Sequence, residues 1–238
     1  MVRMVSDRTG RFPERPHYRP QELDRGCEEI VTKFLRDLYG KVEFPILTDD
    51  LTKLIERDAG DLDLYADLSS FGPDVEGVTE FRQGHKPTVR IAEDLASDSR
   101  RENRLRTTLT HEYGHVHYHA YLWDLYPPAS DLLDPGARSE PSHCKRETML
   151  NAPQADWMEW QAGYACGALL MPSSRLKKLV ADFQERHGLF GSIAAAGEHG
   201  QALIAEVVDR FQVSQDAARV RLSVLDYLGA ERGPSLFS

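Results

Sequence analysis

The sequence has little cysteine and no long hydrophobic run. Three cysteines, Cys27, Cys144 and Cys166, lie far apart in 238 residues. They cannot form a disulfide framework or a CxxC zinc knuckle, so a reducing cytoplasm is the expected location. No apolar stretch reaches the length of a membrane span. The first 24 residues contain arginines but no apolar segment typical of a secretory signal. The sequence therefore predicts a cytoplasmic protein without membrane contact.

Basic residues are also in deficit. The chain has 29 Lys and Arg against 38 Asp and Glu, a formal net charge of -9. A field of that sign does not favour binding to a phosphate backbone. Residues 1–22 differ, since they are rich in arginine and proline and show no hydrophobic period. They are predicted to form a flexible basic arm.

Hydrophobic periodicity predicts an α+β fold that is mainly helical and has a small sheet of about three strands. Helical spacing begins at Leu23 and ends at Gly40. Three segments alternate polar and apolar residues, which is typical of short strands: Asp61–Tyr65, Gly77–Phe81 and Thr88–Ala92.

The second half of the chain is predicted to be helical around one irregular connector. Ser99 and Glu102 match a capping box, which predicts a helix from there to about His119. Residues 121–155 contain many prolines and are predicted to be a loop. Asp156 is a candidate cap for an apolar helix that Pro172 ends. Further helical patterns cover 174–187, 199–211 and 215–228.

One segment carries an H-E-x-x-H pattern, His111-Glu112-Tyr113-Gly114-His115, inside the predicted long helix. Residues four apart lie on one helix face, so His111 and His115 can bind the same ion. Zinc accepts such nitrogen donors in tetrahedral geometry. Glu112 would be the general base towards a water molecule whose pKa the metal lowers. The alternative is a surface helix with paired histidines.

Glu159 is the candidate third ligand. It is the only Glu in the predicted helix Asp156–Met171, where bulky apolar residues surround it. A carboxylate in that setting needs a positive partner, and a metal ion would supply one. The alternative is a structural role as the capping-box partner of Asp156. The residues alone leave these two interpretations equal.

Three segments together resemble the ImmA/IrrE family of bacterial metallopeptidases. Arg104–His115 (RLRTTLTHEYGH) resembles the family's signature helix, and Glu159–Pro172 (EWQAGYACGALLMP) its second signature. Phe211–Leu222 (FQVSQDAARVRL) is similar to its closing segment. The resemblance covers roughly residues 25–230. Two features depart from it: Gly163 stands where the family often has Asn, and the connector between His115 and Glu159 is long.

The resemblance implies a gluzincin-like site with Glu159 as third ligand. Peptidases of this kind often bind an extended substrate along a sheet edge, and the predicted strand Thr88–Ala92, just before the motif helix, is the candidate edge. It also implies cleavage of a helix-turn-helix repressor encoded nearby, on a mobile element, in a prophage or in a stress response. Zn²⁺ is the expected cofactor, although Mn²⁺ or Fe²⁺ can occupy a His/His/Glu site. The alternatives are a non-proteolytic regulatory module that binds a repressor or DNA, and a hydrolase of small substrates.

The predicted organisation has four parts: the arm over 1–22, a zincin-like metallopeptidase domain over 23–172, a C-terminal helical subdomain packed on it over 173–232, and a tail over 233–238. Within the third part, residues 202–228 resemble half of a DNA-binding helix-turn-helix, with Arg219 and Arg221 on its second helix. A helical hairpin packed on the catalytic domain is the favoured interpretation, because the chain is acidic.

Several residues are weaker candidates. Tyr126, His143 and Tyr164 could each stabilise an oxyanion. His117 and His119 could line the cleft, but solvated helix-end residues are the favoured interpretation. Cys144 follows His143 and precedes two basic residues. It could be a redox group or an inhibitory zinc ligand, although a small inert residue is the favoured interpretation. Cys27 and Cys166 are expected in the core.

Overall fold

One long buried helix lies under a small mixed sheet and is surrounded by further helices. The structure, a computed structural model, describes residues 2–72, 74–126, 140–145 and 156–229, with the backbone alone for 140–145. The helices are α1 Pro20–Tyr39, α2 Thr48–Asp58, α3 Glu93–Ala96, α4 Glu102–His119, α5 Tyr121–Leu125, α6 Trp157–Leu170, α7 Ser173–His187, α8 Glu198–Phe211 and α9 Gln215–Val224. The strands are β1 Arg3–Ser6, β2 Glu14–His17, β3 Asp61–Ala66, β4 Val75–Phe81, β5 Thr88–Ala92, β6 Glu140–Lys145, β7 Ile193–Ala194 and β8 Leu228–Gly229. The predicted α+β class is confirmed.

The sheet beside α4 has four strands in the order β3-β5-β4-β6. β5 runs parallel to β3 and antiparallel to β4, so the prediction that β5 offers a free edge is wrong. β6 pairs antiparallel with β4 and comes from the connector predicted to be a loop. α5 also lies in that connector. The proline-rich composition was misleading, because a strand at the edge of a sheet, such as β6, tolerates a proline.

The N-terminal segment predicted to be a flexible arm is instead an antiparallel hairpin of β1 and β2. Its Phe12 side chain is buried and makes an edge-to-face contact with Trp123 at 5.0 Å, and Met4 packs against the same cluster. The Asp7 carboxylate accepts a hydrogen bond from the indole nitrogen of Trp157 at 3.1 Å. One buried aromatic side chain, the partly buried Met4 and a few polar contacts hold this segment. A search for hydrophobic periodicity therefore misses it.

The motif helix α4 begins at Glu102, three residues later than the capping-box pattern predicts. Ser99–Arg101 forms a 3₁₀ turn, which the Asp98 carboxylate caps by accepting from the Arg100 N–H. α4 is mostly buried although many of its residues are polar. Its threonine hydroxyls donate to backbone carbonyls one turn earlier, for example Thr110 to Arg106 at 2.8 Å. That back-bonding satisfies the hydroxyls inside the protein.

The remaining predicted helices are present with small shifts at their ends. α1 buries Leu23, Cys27 and neighbouring apolar residues on one face and ends at Tyr39, where Gly40 caps it with a φ of 69°. Cys27 and Cys166 are buried, as predicted. Among the described residues, every helix is too short or too polar to cross a membrane.

The C-terminal helices contribute to the same hydrophobic core as α1, α4 and α6. Arg221, one of the two candidate DNA-contacting arginines, is buried and forms an ion pair with Asp24 at 2.5 Å. Its Nε also donates to the Met171 carbonyl. Arg219 is exposed and lies 3.7 Å from Asp216. Arg221 therefore joins α9 to α1 and to the end of α6. The division at residue 173 stays a prediction.

This ion pair generates a prediction about stability. Replacing Arg221 with Met leaves the Asp24 carboxylate buried without its charge partner, which costs about 3–5 kcal/mol of unfolding free energy. Arg219→Met on the same helix removes only an exposed pair and is expected to cost less than about 0.5 kcal/mol. Urea unfolding of both variants measures the difference. Equal losses of unfolding free energy in the two variants would contradict the assignment of Arg221 as the buried charge partner of Asp24.

Candidate metal centre

Three buried side chains from two helices meet at one point. On α4, His111 and His115 are one turn apart, and their Nε2 atoms lie 3.2 Å from each other. On α6, Glu159 places Oε2 3.1 Å from the His111 Nε2 and Oε1 3.3 Å from the His115 Nε2. These are the His/Cys/Asp/Glu side chains of the described part that are grouped closely enough to hold a metal ion.

The separations fit a tetrahedral metal site. Ligand atoms about 2.0–2.1 Å from a zinc ion at tetrahedral angles are about 3.3–3.4 Å apart. The two Nε2 atoms lie 3.2 Å apart, close to that value, and each has one of the two Glu159 oxygens at 3.1–3.3 Å. The donor set has two nitrogens and one carboxylate, and a catalytic zinc needs three protein ligands and one open position. The residues present therefore fit a metal ion.

The alternative structural role of Glu159 has no support in the geometry. The Asp156 side chain makes no capping hydrogen bond at the start of α6. Both Glu159 oxygens lie beside imidazole nitrogens instead. The alternative for the histidines is also excluded, because His111 and His115 are fully buried and do not lie on a helix surface.

A close contact between the two helices brings the ligands together. A Cβ added to Gly114 would lie 3.0 Å from the Ala162 Cα and 3.2 Å from its carbonyl oxygen. Gly114 is three residues beyond His111, and Ala162 is three residues beyond Glu159. Both therefore share the ligands' helix faces. The absence of a side chain at Gly114 lets a carboxylate on α6 reach imidazoles on α4.

Strand β4 positions Glu112 from the other side. The Thr79 hydroxyl donates to the Glu112 Oε2 at 2.5 Å. A Cβ on Gly77 would lie 2.5 Å from Oε1, so only glycine leaves room for the carboxylate there. Within the described residues, Oε1 is buried and has no hydrogen-bond partner. One oxygen of Glu112 is thus held, and the other remains able to accept a proton.

Electrostatics at the centre reflect burial and mutual pairing. Burial raises the pKa of the Glu112 carboxyl above its usual value. Burial would also raise the pKa of Glu159, but the two imidazoles outweigh it and hold that pKa below its usual range. For His115, burial lowers the pKa, but the neighbouring Glu159 carboxylate outweighs this and raises it. Glu159 therefore stays ionised, as a metal ligand must.

Two residues around the ligands were missed or wrongly interpreted. His119, expected to be solvated, is fully buried, and its Nδ1 lies 3.0 Å from the His115 Nδ1. Its Nε2 lies 3.1 Å from the Gln161 Oε1, and burial holds the pKa of His119 well below the usual value. The four-residue spacing from His111 to His115 to His119 was the available signal. Nothing local marks Gln161. His117 is exposed, as expected.

Of the three candidate oxyanion residues, Tyr164 and Tyr126 have hydroxyls that bind carboxylates outside this centre. The Tyr164 hydroxyl donates to the Asp24 carboxylate at 2.9 Å, on the α1 side of α6. The Tyr126 hydroxyl donates to Glu14 of the hairpin at 3.2 Å. His143 pairs with Val78 in the β4–β6 ladder, and its side chain lies outside the described residues. The same holds for Cys144, which pairs with Gly77.

The Gly114–Ala162 contact generates a prediction. Gly114→Ala places a methyl group against the backbone of α6, and overpacking of this kind costs about 1–3 kcal/mol. It is also expected to lower the affinity for a divalent metal, because α4 and α6 must separate. Gly167→Ala on α6 is the matched control, since its Cβ would lie at an ordinary 3.5 Å from the Arg221 Cδ. That variant should gain up to about 1 kcal/mol from helix propensity. Thermal unfolding and metal titration of both variants measure these effects. Equal stability and equal metal affinity of Gly114→Ala and Gly167→Ala would contradict a role for the close contact at Gly114.

Comparison with known proteins identifies the family of this chain. The family model of the IrrE N-terminal-like domain, peptidase family M78, matches residues 73–223. This is more than half of the 238 residues and includes both ligand-bearing helices. No curated protein shows a significant match to the chain. The match agrees with the resemblance seen in the motifs, and the chain belongs to the M78 peptidase family, that of the IrrE N-terminal-like domain.

Proposed function

We propose that this protein is a zinc-dependent endopeptidase. His111, His115 and Glu159 would be the metal ligands, and Glu112 the general base. The observation that carries the proposal is the close grouping of three buried side chains: the two imidazole Nε2 atoms lie 3.2 Å apart, and each has one Glu159 oxygen at 3.1–3.3 Å. Such a cluster is costly without a cation to compensate the buried carboxylate. Membership of a peptidase family supports the same chemistry.

Zinc is the proposed metal because two imidazoles and one carboxylate with an open position are typical of catalytic zinc sites. Mn²⁺ and Fe²⁺ use the same donors, and metal analysis of the purified protein distinguishes them. A bound ion of this kind lowers the pKa of a water molecule and polarises a peptide carbonyl.

Glu112 would handle the proton. Thr79 holds the Oε2 atom, so the carboxylate has a fixed orientation and Oε1 is the atom that accepts. Burial raises the pKa of this carboxyl, which brings it closer to the pH at which a general base works best. Glu112 then passes the proton from the attacking water to the leaving amine nitrogen, and the peptide bond breaks.

The proposed substrate is a helix-turn-helix repressor encoded nearby, whose cleavage in the cytoplasm would relieve repression. The family resemblance supports this choice. Direct binding to nucleic acid is less favoured, because the chain is acidic and Arg221 is buried in an ion pair.

Substitution of the base tests the proteolytic mechanism. Glu112→Gln keeps the size of the side chain but removes the proton acceptor, so cleavage of the purified neighbouring regulator should fall by about 10²–10⁴-fold. Zinc content should stay unchanged, because Glu112 is not a ligand. In Glu159→Gln, by contrast, metal binding should weaken. Glu185→Gln, at an exposed position, should change neither cleavage nor zinc content.

Cleavage and regulation are measured side by side, by gel electrophoresis of the regulator and by a reporter of its repression. Wild-type cleavage rates in Glu112→Gln would exclude this base. Full regulation by Glu112→Gln without any cleavage would favour a non-proteolytic regulatory module that binds the repressor or DNA.

Metal removal gives a test that needs no substrate. A ligand present at 100 times its dissociation constant stabilises the folded protein by about 2.7 kcal/mol. Dialysis against a chelator should therefore lower the unfolding temperature, and added Zn²⁺ should restore it. His111→Ala should show almost no response to either step, because one of its three ligands is missing. If neither the chelator nor added zinc changes the unfolding temperature of the wild type, the metal assignment is wrong.

A further inference from the structure

A chain of hydrogen bonds leads from the candidate metal centre to the N-terminal hairpin. The His115 Nδ1 lies 3.0 Å from the His119 Nδ1. The His119 Nε2 lies 3.1 Å from the Gln161 Oε1. The Gln161 Nε2 donates to the Pro16 carbonyl at 2.9 Å. All three side chains are buried, so water does not compete with these bonds.

The direction of every hydrogen bond in this chain follows from the last acceptor, the Pro16 carbonyl. A backbone carbonyl can only accept, so the Pro16 oxygen requires the amide nitrogen of Gln161. Gln161 then presents its oxygen to His119, whose Nε2 must carry hydrogen. The Nδ1 of a neutral His119 imidazole is left as an acceptor, and the hydrogen of this last bond belongs to the His115 Nδ1.

These bond directions fix the protonation of the other ring nitrogen of His115, the Nε2 atom that faces the candidate metal position. With hydrogen on Nδ1, the neutral imidazole has its lone pair on Nε2. Nε2 is the atom that lies 3.2 Å from the His111 Nε2 and 3.3 Å from the Glu159 Oε1. The chain of bonds therefore selects the tautomer and ring orientation that a metal ion requires.

We infer that His119 and Gln161 are positioning residues for the metal ligand His115, and that the N-terminal hairpin anchors them through the Pro16 carbonyl. This inference rests on the proposed metal centre. A second contact joins the same parts: the Trp157 ring packs edge-on against His119 at 5.5 Å, and its indole nitrogen donates to Asp7. The hairpin thus contacts the centre's surroundings through both a carbonyl and a carboxylate.

The experiment measures zinc affinity by chelator competition in the full chain, with the visible spectrum of the Co²⁺-loaded protein as a second readout. His119→Phe keeps a ring but removes the acceptor for the His115 Nδ1–H. Loss of such outer partners typically weakens metal binding by about 10–100-fold, and a changed cobalt spectrum should accompany it. His119→Asn restores an acceptor oxygen near the position of Nδ1, so it should recover most of that affinity.

Gln161→Leu provides a second variant of similar size that contacts neither His115 nor the metal directly. It should weaken zinc binding in the same direction. Because both residues act through one chain of bonds, the double variant should lose much less than the product of the two single losses. If His119→Phe does not fold, Gln161→Leu decides. A merely structural role would lower the stability of the metal-free protein and leave zinc affinity and the cobalt spectrum unchanged, which would overturn the inference.

Failure of the proposed function has a separate signature. In that case the wild-type chain binds no zinc or cobalt, and the inference is tested on the metal-free protein by imidazole ¹⁵N NMR. The wild type should carry hydrogen on the His115 Nδ1, and Gln161→Leu should shift or broaden that signal. A neutral His115 with its hydrogen on Nε2 in the wild type would refute the inference, whatever the metal result.

Discussion

The distance between α4 and α6 is the constraint on which the centre depends. Two imidazoles on one helix and a carboxylate on the other must come within about 3.3 Å of each other to bind a single ion. Side chains of fixed length allow this only if the helix backbones almost touch. Gly114 and Ala162 provide that contact, since even one added methyl group would meet the backbone of α6 at 3.0 Å. Small residues at this crossing thus have a functional consequence, although neither has a chemical group that reacts.

The polar character of α4 follows from the same arrangement. A helix buried on most sides would ordinarily be apolar, but its threonines, histidines and Glu112 are accommodated by specific partners from β4 and α6. Three buried side-chain nitrogens or oxygens in the described part have no such partner, and two of them are the His111 Nδ1 and the Glu112 Oε1. Unsatisfied buried polar atoms are rare in native proteins and call for an explanation. For the Glu112 Oε1, its proposed role as proton acceptor provides one.

The sequence was sufficient where the signal is local. The His-Glu-x-x-His spacing, the single Glu of the next apolar helix and the alternating strands are all periodic patterns, and the structure has them at nearly the predicted positions. It was insufficient where a contact joins distant segments. Gln161 and Pro16 are 145 residues apart, and Thr79 and Glu112 are 33 apart. No spacing rule pairs such residues. The hairpin was mistaken for a flexible arm for the same reason, because its stability comes from partners on α5 and α6 and little from its own pattern.

The C-terminal segment that resembles the family's closing segment makes structural contacts with both α4 and α6. Gln212 ends α8 in a left-handed conformation, with a φ of 51°, which leaves the last carbonyls of that helix without helical partners. The buried Arg106 of α4 donates to the carbonyls of Phe211 and Gln212. On the next helix, Arg221 donates to the Met171 carbonyl at the end of α6. One arginine thus ties the segment to α4 and another ties it to α6. The position of α4 relative to α6 decides whether the three candidate ligands can meet, and through these two arginines a segment far from the centre contributes to it.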